Sequence, residues 1–228
     1  MTSNCKEKKI SFIVCTNDPL YAGECELYIH SLTVPDGYEV EVLLVEDARS
    51  MTSGYNEAMA VSDAKYKVYL HQDVMIYNRN FIIRILEIFQ SDPSIGMIGM
   101  VGNTRLPDNA IHWSAGGVHA GGIYSDIIYD VNYRLFEENG DGVTDVVILD
   151  GLLMATQVDI PWREDLFTGW HFYDLSQSRE FYRQGYRVVV PHMEEPWVFH
   201  DNDVQEIGEE YHRYRQIFLD EYGGELAG

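Results

Sequence analysis

Short apolar runs alternate with amphipathic stretches along the first hundred residues, and this alternation constrains the fold more than any other feature. Ile10–Cys15, Val40–Val45 and Tyr66–Leu70 are rich in β-branched and aromatic residues, which is typical of strands in a parallel sheet. Residues with helical periodicity lie between these runs. Strands that alternate with helices through short links predict right-handed crossovers. We therefore expect an α/β fold of the Rossmann type, with a mostly parallel sheet and helices on both faces.

The same pattern continues through the rest of the chain and ends in a helix. The further strands are predicted at Ile95–Val101, Val146–Leu149, Gly151–Thr156 and Arg187–Val190. The helices are predicted at Glu24–Leu32, Gly54–Ala64, Arg79–Gln90, Leu175–Gln184 and Glu206–Tyr222. The glycine-rich segment Gly102–Asp126 lacks apolar periodicity, which predicts a hairpin or a mobile flap. Because 228 residues contain no repeat and no low-complexity linker, we expect a single domain over 1–228.

The charge is strongly acidic and limits the classes of partner. With 37 Asp and Glu against 16 Lys and Arg, the formal net charge is −21. Such a surface repels phosphate backbones and anionic headgroups, which argues against nucleic acid and against direct adsorption to a membrane. The sequence has no run of apolar residues long enough to span a bilayer and no signal-peptide pattern. Its odd number of cysteines without metal-ligand spacing favours the reducing cytoplasm.

Polar clusters follow the predicted strands. They are Thr16–Asp18, Glu46–Asp47, His71–Asp73 and Asp150–Gly151. The carboxyl ends of parallel strands meet at one edge of a sheet, so these clusters predict a ligand cleft there. Taken singly, each cluster is more typical of a solvated loop or a helix cap, and it is the four clusters together that favour a cleft. If the ligand is a diphosphate, so acidic a protein needs a divalent cation or local donors to bind it.

The ordered set of these segments resembles the family-2-type inverting glycosyltransferases of the GT-A fold. The segments are VEDARS at 45–50, YLHQDV at 69–74, DGLLMA at 150–155, and a helical segment in which Asp174 and Gly185 are eleven residues apart. The resemblance runs from Ile10 to about Asp201 and is closest to a bacterial branch linked to capsule or surface polysaccharide synthesis. It implies a donor-binding half at about 10–101 and an acceptor and catalytic half at about 146–201.

The resemblance implies a site for Mn²⁺ or Mg²⁺. The family places Asp-x-Asp after a central strand, and this chain has His71 at the first carboxylate position and retains the second, Asp73. His200 matches the histidine that often completes the coordination, and His192 is its rival. A helix cap before Asn78 is the alternative role for Asp73.

The resemblance also implies a nucleotide-sugar donor, with the base and ribose against the ends of the first two strands. The donor-binding residues that it implies are Thr16, Asn17, Asp18, Asp47, Asn56, His71 and Gln72. Asn56 has an alternative role as a capping residue in the first turn of its helix. His71 has one as a residue packed against the strand end.

Inverting transfer needs a carboxylate to take the proton of the acceptor hydroxyl. Asp174 matches the catalytic Asp of the family, although Tyr173 replaces the Glu that precedes it, and Asp165 is the competing candidate. Asp150, Gly151 and Trp170 are the implied acceptor-binding residues, because they match the acceptor-side strand or offer a flat apolar ring.

These features predict a metal-assisted hexosyltransferase that uses a nucleotide-diphosphate sugar, most simply a UDP-sugar, and a saccharide or lipid-linked acceptor. A homo-oligomer and an association with the inner membrane through partners are compatible with them. The alternative is a catalytically silent sugar- or nucleotide-binding module on the same fold, which the residues at 71 and 173 favour. A nucleotidyltransferase on a related sheet is a third alternative, and the lack of a glycine-rich basic loop after Cys15 argues against it.

Overall fold

The computed structural model describes residues 5–111, 119–125, 142–201 and 207–225. Its strands are β1 (Lys6–Thr16), β2 (Glu39–Glu46), β3 (Ala64–His71), β4 (Val74–Ile76), β5 (Ile95–Gly99), β6 (Val101–Asn103), β7 (His119–Gly121), β8 (Tyr124–Ser125), β9 (Val143–Asp145), β10 (Ile148–Leu149), β11 (Leu153–Thr156), β12 (Arg187–Pro191) and β13 (Val198–His200). Its helices are α1 (Pro19–His30), α2 (Met51–Val61), α3 (Phe81–Ser91), α4 (Tyr173–Arg183) and α5 (Glu209–Tyr222). The strands and helices alternate through the first hundred residues, as predicted.

Seven strands form the central sheet in the order β2-β1-β3-β11-β5-β12-β9. β1 runs parallel to β2 and β3, and β12 runs parallel to β5. β11 is antiparallel to both β3 and β5, and β9 is antiparallel to β12. The predicted α/β fold with a mostly parallel sheet is therefore confirmed, with one reversed strand at its centre and one at its edge.

Burial follows position in the sheet and the periodicity of the helices. Central β1 is fully buried from Ile10 to Val14, whereas Leu44 on edge strand β2 is 40% exposed. Helix α3 presents Phe81, Ile82, Ile85, Leu86 and Phe89 to the core. These positions form one apolar stripe of a 3.6-residue period, and burying it stabilises the helix against the sheet.

The predicted strand Ile95–Val101 is two strands in different sheets. β5 ends at Gly99 and β6 starts at Val101, where the chain leaves the central sheet and pairs antiparallel with β7 and β10. A Cβ at Gly99 would overlap the side chain of Leu149, so glycine there allows β10 to pack closely on β5. Of the predicted strand Val146–Leu149, the structure has only Ile148–Leu149 as a strand, β10.

The predicted excursion Gly102–Asp126 is only partly a surface feature. Positions 112–118 and 126 lie outside the described residues. The described remainder includes the antiparallel pairing of β6 with β7, and Ala120 on β7 is buried in the main core. This part of the segment is a hairpin arm packed on the sheet, because its small residues fit between β6 and β12.

Helices α1 and α2 start earlier than predicted because capping residues precede the first periodic apolar residues. Asp18 accepts a hydrogen bond from Leu20 N at 2.8 Å, and proline follows it at the first position of α1. Ser50 and Ser53 cap α2 reciprocally. Asn56 consequently lies in the second turn of α2 and not in the first.

The C-terminal helix α5 packs on α4 through a second apolar cluster. Phe172 and Leu175 contact the ring-rich face of α5, which includes Tyr211, Tyr214 and Phe218. Residue 206 of the predicted helix lies outside the described residues, and the helix itself is confirmed from Glu209. Among the helices that the structure describes, none has the length and hydropathy that crossing a membrane requires.

Candidate functional site

Three side chains from two distant parts of the sequence meet at the carboxyl end of β3. Ligand atoms of His71, Asp73 and His200 all lie within 4.8 Å of one another. His200 Nε2 is 3.4 Å from Asp73 Oδ1, and His71 Nδ1 is 3.9 Å from the same oxygen. Imidazole nitrogens and a carboxylate at this separation can hold one divalent transition-metal ion.

The pairing of two short strands brings His200 to Asp73. β13 runs antiparallel to β4 with His200 opposite Val74, and Asp201 N donates to Asp73 O at 2.9 Å. His71 is the last residue of β3, so both histidines approach Asp73 from rigid backbone. His192, the rival ligand, lies after β12 and contacts Thr144 Oγ1 at 3.0 Å through Nε2, outside this cluster.

The chemistry of the three residues fits a cation. Asp73 Oδ1 is buried and accepts no hydrogen bond within the described part of the chain. Ring nitrogens of His200 and His71 lie 3.4 and 3.9 Å from this oxygen, and a cation bound between the three groups would compensate its burial. Burial opposes ionisation of Asp73, but the adjacent His200 and His71 outweigh it and hold its pKa below the ordinary value. Burial and the charge of His200 lower the pKa of His71 to about 4, so its imidazole is neutral.

Tyr173 supports the cluster from the opposite side. Its hydroxyl forms a hydrogen bond with His71 Nε2. The ring is buried against Tyr55 and Trp162, and a Cβ at Gly151 would overlap the Tyr173 hydroxyl. Gly151, predicted to bind the acceptor, is therefore also the residue that makes room for Tyr173.

Asp174, the predicted base, is buried in the first turn of α4. Its Oδ2 accepts a hydrogen bond from Gly151 N at 2.9 Å. Burial, and secondly the charge of Asp150, raise the pKa of Asp174 to about 7, although backbone donors oppose the shift. A carboxyl whose pKa lies near neutrality is suited to take and release a proton. Phe172, just before the helix, has a φ of 62°, and such strained positions are frequent at functional sites.

Asp165, the competing base, has a different environment. It is 61% exposed at the side chain, and both its oxygens bind the Arg163 guanidinium at 2.8 Å. That hydrogen-bonded pair lowers the pKa of Asp165. An exposed, ion-paired carboxylate is a weak proton acceptor, so the geometry favours Asp174.

The predicted donor residues after β1 bind one another. The Gln72 side-chain carbonyl accepts hydrogen bonds from Thr16 Oγ1 (2.8 Å), Asn17 N (3.1 Å) and Asp18 N (3.0 Å). Gln72 Nε2 donates to Asn17 Oδ1 at 2.7 Å. Asp18 caps α1, which was its alternative role. Gln72 and Asp18 thus shape this loop, and contacts of the four residues with a donor stay predictions.

Beyond the carboxyl end of β2, the surface has an open cavity of about 330 Å³. The lining residues are Asp47, Ala48, Arg49, Ser53, Asn56, Glu57 and Glu164. Asp47 is exposed and has a φ of 54°, a conformation that Asp tolerates. Asn56 exchanges two hydrogen bonds with the Trp162 backbone, at 2.8 and 3.0 Å, so its amide anchors the loop that closes one side of the cavity.

The predicted acceptor residues border the loop that leads into α4. Trp170 is 46% exposed, which leaves an aromatic face available for a sugar ring. Asp150 Oδ1 accepts from Leu152 N at 3.1 Å. Asp150 and Gly151 precede β11, whose reversed direction places its start at the carboxyl end of β3. The antiparallel strand therefore keeps them at the predicted edge.

Sequence reasoning missed two members of this arrangement. His71 was predicted to bind the donor, and Tyr173 to stack on a sugar ring or pack in the core. In the structure His71 lies beside the Asp73 carboxylate, and Tyr173 is hydrogen-bonded to His71. A signal was present in the sequence, because His71 and Tyr173 occupy the two positions where the resemblance implies acidic residues.

Comparisons with solved structures show the same fold. S. aureus TarS matches with a TM-score of 0.62 and 14% identity over 94% of this chain and 40% of TarS. The Pyrobaculum calidifontis mannosyltransferase PcManGT, solved with GDP-Man and Mn²⁺, matches with a TM-score of 0.58 and 16% identity over 98% of this chain and 65% of its own. A TarS fragment, 1–349, solved with UDP, matches with a TM-score of 0.59 and 13% identity, over 95% of this chain and 72% of the fragment.

No curated protein matches the chain. The chain spans less than two thirds of the first TarS structure and of the mannosyltransferase, and these likenesses concern the fold. One family model, described as "Glycosyltransferase like family", matches residues 11–222. That match includes His71, Asp73, His200, Asp174 and α5, and on this basis the chain belongs to the glycosyltransferase-like family.

Proposed function

We propose that this protein transfers a sugar from a nucleoside-diphosphate donor to a saccharide or lipid-linked acceptor, with inversion and with the assistance of a divalent cation. The observation that carries the proposal is the His71, Asp73 and His200 cluster beside the segment that holds Asp174. The two are linked by Tyr173, which precedes Asp174 and contacts His71. The similar structures solved with UDP and with GDP-Man and Mn²⁺ support a nucleotide-sugar donor.

The donor would lie along the carboxyl edge of the sheet. β1 separates β2 from β3, so the ends of these two strands, which border the cavity and the cluster, are roughly 10 Å apart, or two strand spacings. The base and ribose would occupy the cavity near Asp47, with Thr16 and Asn17 beside it, and the diphosphate would reach the cluster. This span matches the extent of a nucleoside diphosphate.

A bound Mn²⁺ or Mg²⁺ would neutralise the negative charge that develops on the departing diphosphate. The residues that would hold it are His71, Asp73 and His200. A cation at these residues also fits the net charge of −21, because so acidic a protein repels a diphosphate whose charge is not compensated.

Asp174 would perform the proton transfer. Its carboxylate accepts the proton of the acceptor hydroxyl while that oxygen attacks the anomeric carbon. The bond from this carbon to the diphosphate oxygen breaks on the opposite face, which inverts the configuration. Asp150 and Trp170 would orient the acceptor, through hydrogen bonds and through ring stacking respectively.

A silent nucleotide-binding module is the second candidate function. The observation that favours it is the loss of two acidic residues of the family pattern, at His71 and Tyr173. Capsule synthesis, a cytoplasmic location, inner-membrane association through partners and a homo-oligomer also stay proposals, resting on the family resemblance and composition.

The test is to incubate the protein with UDP- and GDP-sugars, with and without Mn²⁺, and to measure both thermal stabilisation and release of the nucleoside diphosphate. We expect a nucleotide to raise the melting temperature, more so with Mn²⁺, because a ligand that binds only the native state stabilises it. Donor hydrolysis or transfer that depends on Mn²⁺ supports the enzyme. Stabilisation without turnover for any donor and acceptor supports the silent module, and no stabilisation by any nucleotide overturns both.

A further inference from the structure

His71 is held so that only one of its ring nitrogens points toward Asp73. Its Nε2 is hydrogen-bonded to the Tyr173 hydroxyl, and its Nδ1 lies 3.9 Å from Asp73 Oδ1. The same oxygen is 3.4 Å from His200 Nε2. Two imidazole nitrogens thus converge on a carboxylate oxygen that accepts no hydrogen bond from any described residue.

We propose that His71 binds the divalent cation directly through Nδ1, that Tyr173 orients the imidazole for this by accepting the Nε2 hydrogen, and that the resulting donor set selects Mn²⁺ and softer ions over Mg²⁺. This inference rests on the proposed function and deepens it. It concerns the residue at the first position of the metal motif, where the family resemblance predicts a carboxylate.

The tautomer argument follows from imidazole chemistry. A neutral imidazole carries one N–H and one lone pair, on different nitrogens. If Nδ1 gives its lone pair to the cation, then Nε2 carries the hydrogen and donates it to Tyr173 Oη. A partner at the far nitrogen orients a metal-bound histidine and raises its basicity, which is the role of outer ligands in many metal sites.

The surroundings of Tyr173 make it a rigid support. Its ring is buried beside Tyr55 and Trp162, with ring centroids 6.1 Å away in both cases. Gly151 has no side chain, and any Cβ there would overlap the hydroxyl. This packing restricts the Tyr173 hydroxyl, and its hydrogen bond to Nε2 favours one orientation of the His71 ring.

Selectivity follows from the identity of the donor atoms. Two nitrogens and one carboxylate oxygen suit Mn²⁺, Co²⁺ and Zn²⁺, whereas Mg²⁺ prefers an all-oxygen octahedron. Replacing the imidazole at position 71 by a carboxylate should therefore weaken discrimination against Mg²⁺. The hydroxyl of Tyr173 should affect how tightly the ion binds and not which ion is preferred.

The experiment measures metal binding and not activity. Free Mn²⁺ is titrated by electron paramagnetic resonance, with Mg²⁺ and Zn²⁺ as competitors, and nitrogen coupling to bound Mn²⁺ is recorded by pulsed methods. The proteins are the wild type, His71→Asp, Tyr173→Phe and a control, Tyr69→Phe. Tyr69 is a comparably buried tyrosine on the same strand as His71, and it packs on Tyr55 and Trp162. Each titration is repeated with saturating UDP and GDP.

We expect the wild type to show coupling to two imidazole nitrogens and to prefer Mn²⁺ to Mg²⁺. His71→Asp should lose the coupling to one nitrogen and should reduce the preference for Mn²⁺ over Mg²⁺. Tyr173→Phe should weaken Mn²⁺ binding by about 10- to 100-fold, the usual effect of losing an outer partner of a ligand. Tyr69→Phe should leave the affinity and both couplings unchanged.

The inference and the proposed function fail in different ways. Bound Mn²⁺ with a single nitrogen coupling that His71→Asp does not alter would overturn the inference and leave a nucleotide-sugar transferase intact. Equal losses of affinity in Tyr173→Phe and Tyr69→Phe would overturn the role of Tyr173. If Mn²⁺ binds neither alone nor with UDP or GDP, both the inference and the metal-assisted mechanism fail, whereas failure of nucleotide binding contradicts the proposed function itself.

Discussion

The polar groups after β1 and those after β3 lie at the same edge of the sheet but are organised in opposite ways. After β1, Thr16, Asn17 and Asp18 are bonded to the Gln72 side chain, and Asp18 caps a helix. After β3, a buried oxygen of Asp73 accepts no hydrogen bond among the described residues. Polar groups that satisfy one another shape a loop, whereas a buried carboxylate oxygen that faces two imidazole nitrogens is suited to a cation.

The same contrast separates the two candidate bases. Asp165 is exposed and paired with Arg163, which lowers its pKa, whereas burial beside Asp150 raises the pKa of Asp174 to about 7. One carboxylate is stabilised as an ion, and the other is not. These differences in burial and pKa predict effects on turnover, on pH dependence and on stability.

The largest expected effect is that of Asp174→Asn on turnover. The variant loses the proton acceptor but keeps its shape and can still accept the hydrogen bond from Gly151 N. We expect turnover to fall by about 100- to 10,000-fold, with donor affinity near that of the wild type. Steady-state kinetics and calorimetric titration of the donor measure the two quantities.

Asp165→Asn is the matched control for this measurement, because it removes the neighbouring carboxylate. It should retain most of the activity. If instead Asp165→Asn abolishes transfer and Asp174→Asn does not, the base belongs to the loop before α4 and the contrast between the two carboxylates has been misinterpreted.

The second effect is the pH dependence of the reaction. A general base acts in its ionised form, and the pKa of Asp174 is about 7. We therefore expect kcat/KM to be constant above about pH 7 and to fall about tenfold for each pH unit below it. A profile that stays flat down to pH 5 would show that a group with an ordinary carboxyl pKa controls the step.

The third effect concerns stability and follows from the same raised pKa. The pKa of Asp174 is about 7 in the folded protein and is taken as the ordinary 3.8 in the unfolded chain. Its protonated carboxyl therefore stabilises the fold fully below about pH 3.8, and this stabilisation is lost as the pH rises through 7. Asp174→Asn should therefore melt above the wild type at pH 8, by about 2–4 °C for each kcal/mol relieved, and this advantage should shrink at pH 5. Calorimetry at both pH values tests it, and an advantage that does not depend on pH would contradict the assigned burial of the charge.

The smallest effect concerns the loop after β1. Asp18→Ala removes the cap of α1, which should cost about 1 kcal/mol of the free energy of unfolding. Asp36→Ala, at another exposed loop position, is the control and should change little. Chemical denaturation measures both variants. If Asp18→Ala keeps its stability but loses much of its affinity for UDP, Asp18 binds the donor and does not stabilise the loop.

Strand and helix positions could largely be predicted from the sequence, and the exceptions have identifiable causes. The run from Ile95 to Val101 is continuously apolar, so nothing local indicates that the chain leaves the sheet at Met100. The helices α1 and α2 were predicted from apolar periodicity, which cannot register the capping residues Asp18 and Ser50. Cap geometry depends on side-chain hydrogen bonds that periodicity does not contain.

The sequence by itself determined the alternation of strands and helices, the polar clusters at the strand ends and the acidic character of the surface, because these depend on residue type and spacing. Only the tertiary structure decided that His71 joins Asp73 and His200, and that Tyr173 supports it above Gly151. The reason is physical. His200 lies more than a hundred residues from His71 along the chain, and the pairing of β13 with β4 that unites them is a long-range contact for which the sequence has no local signal.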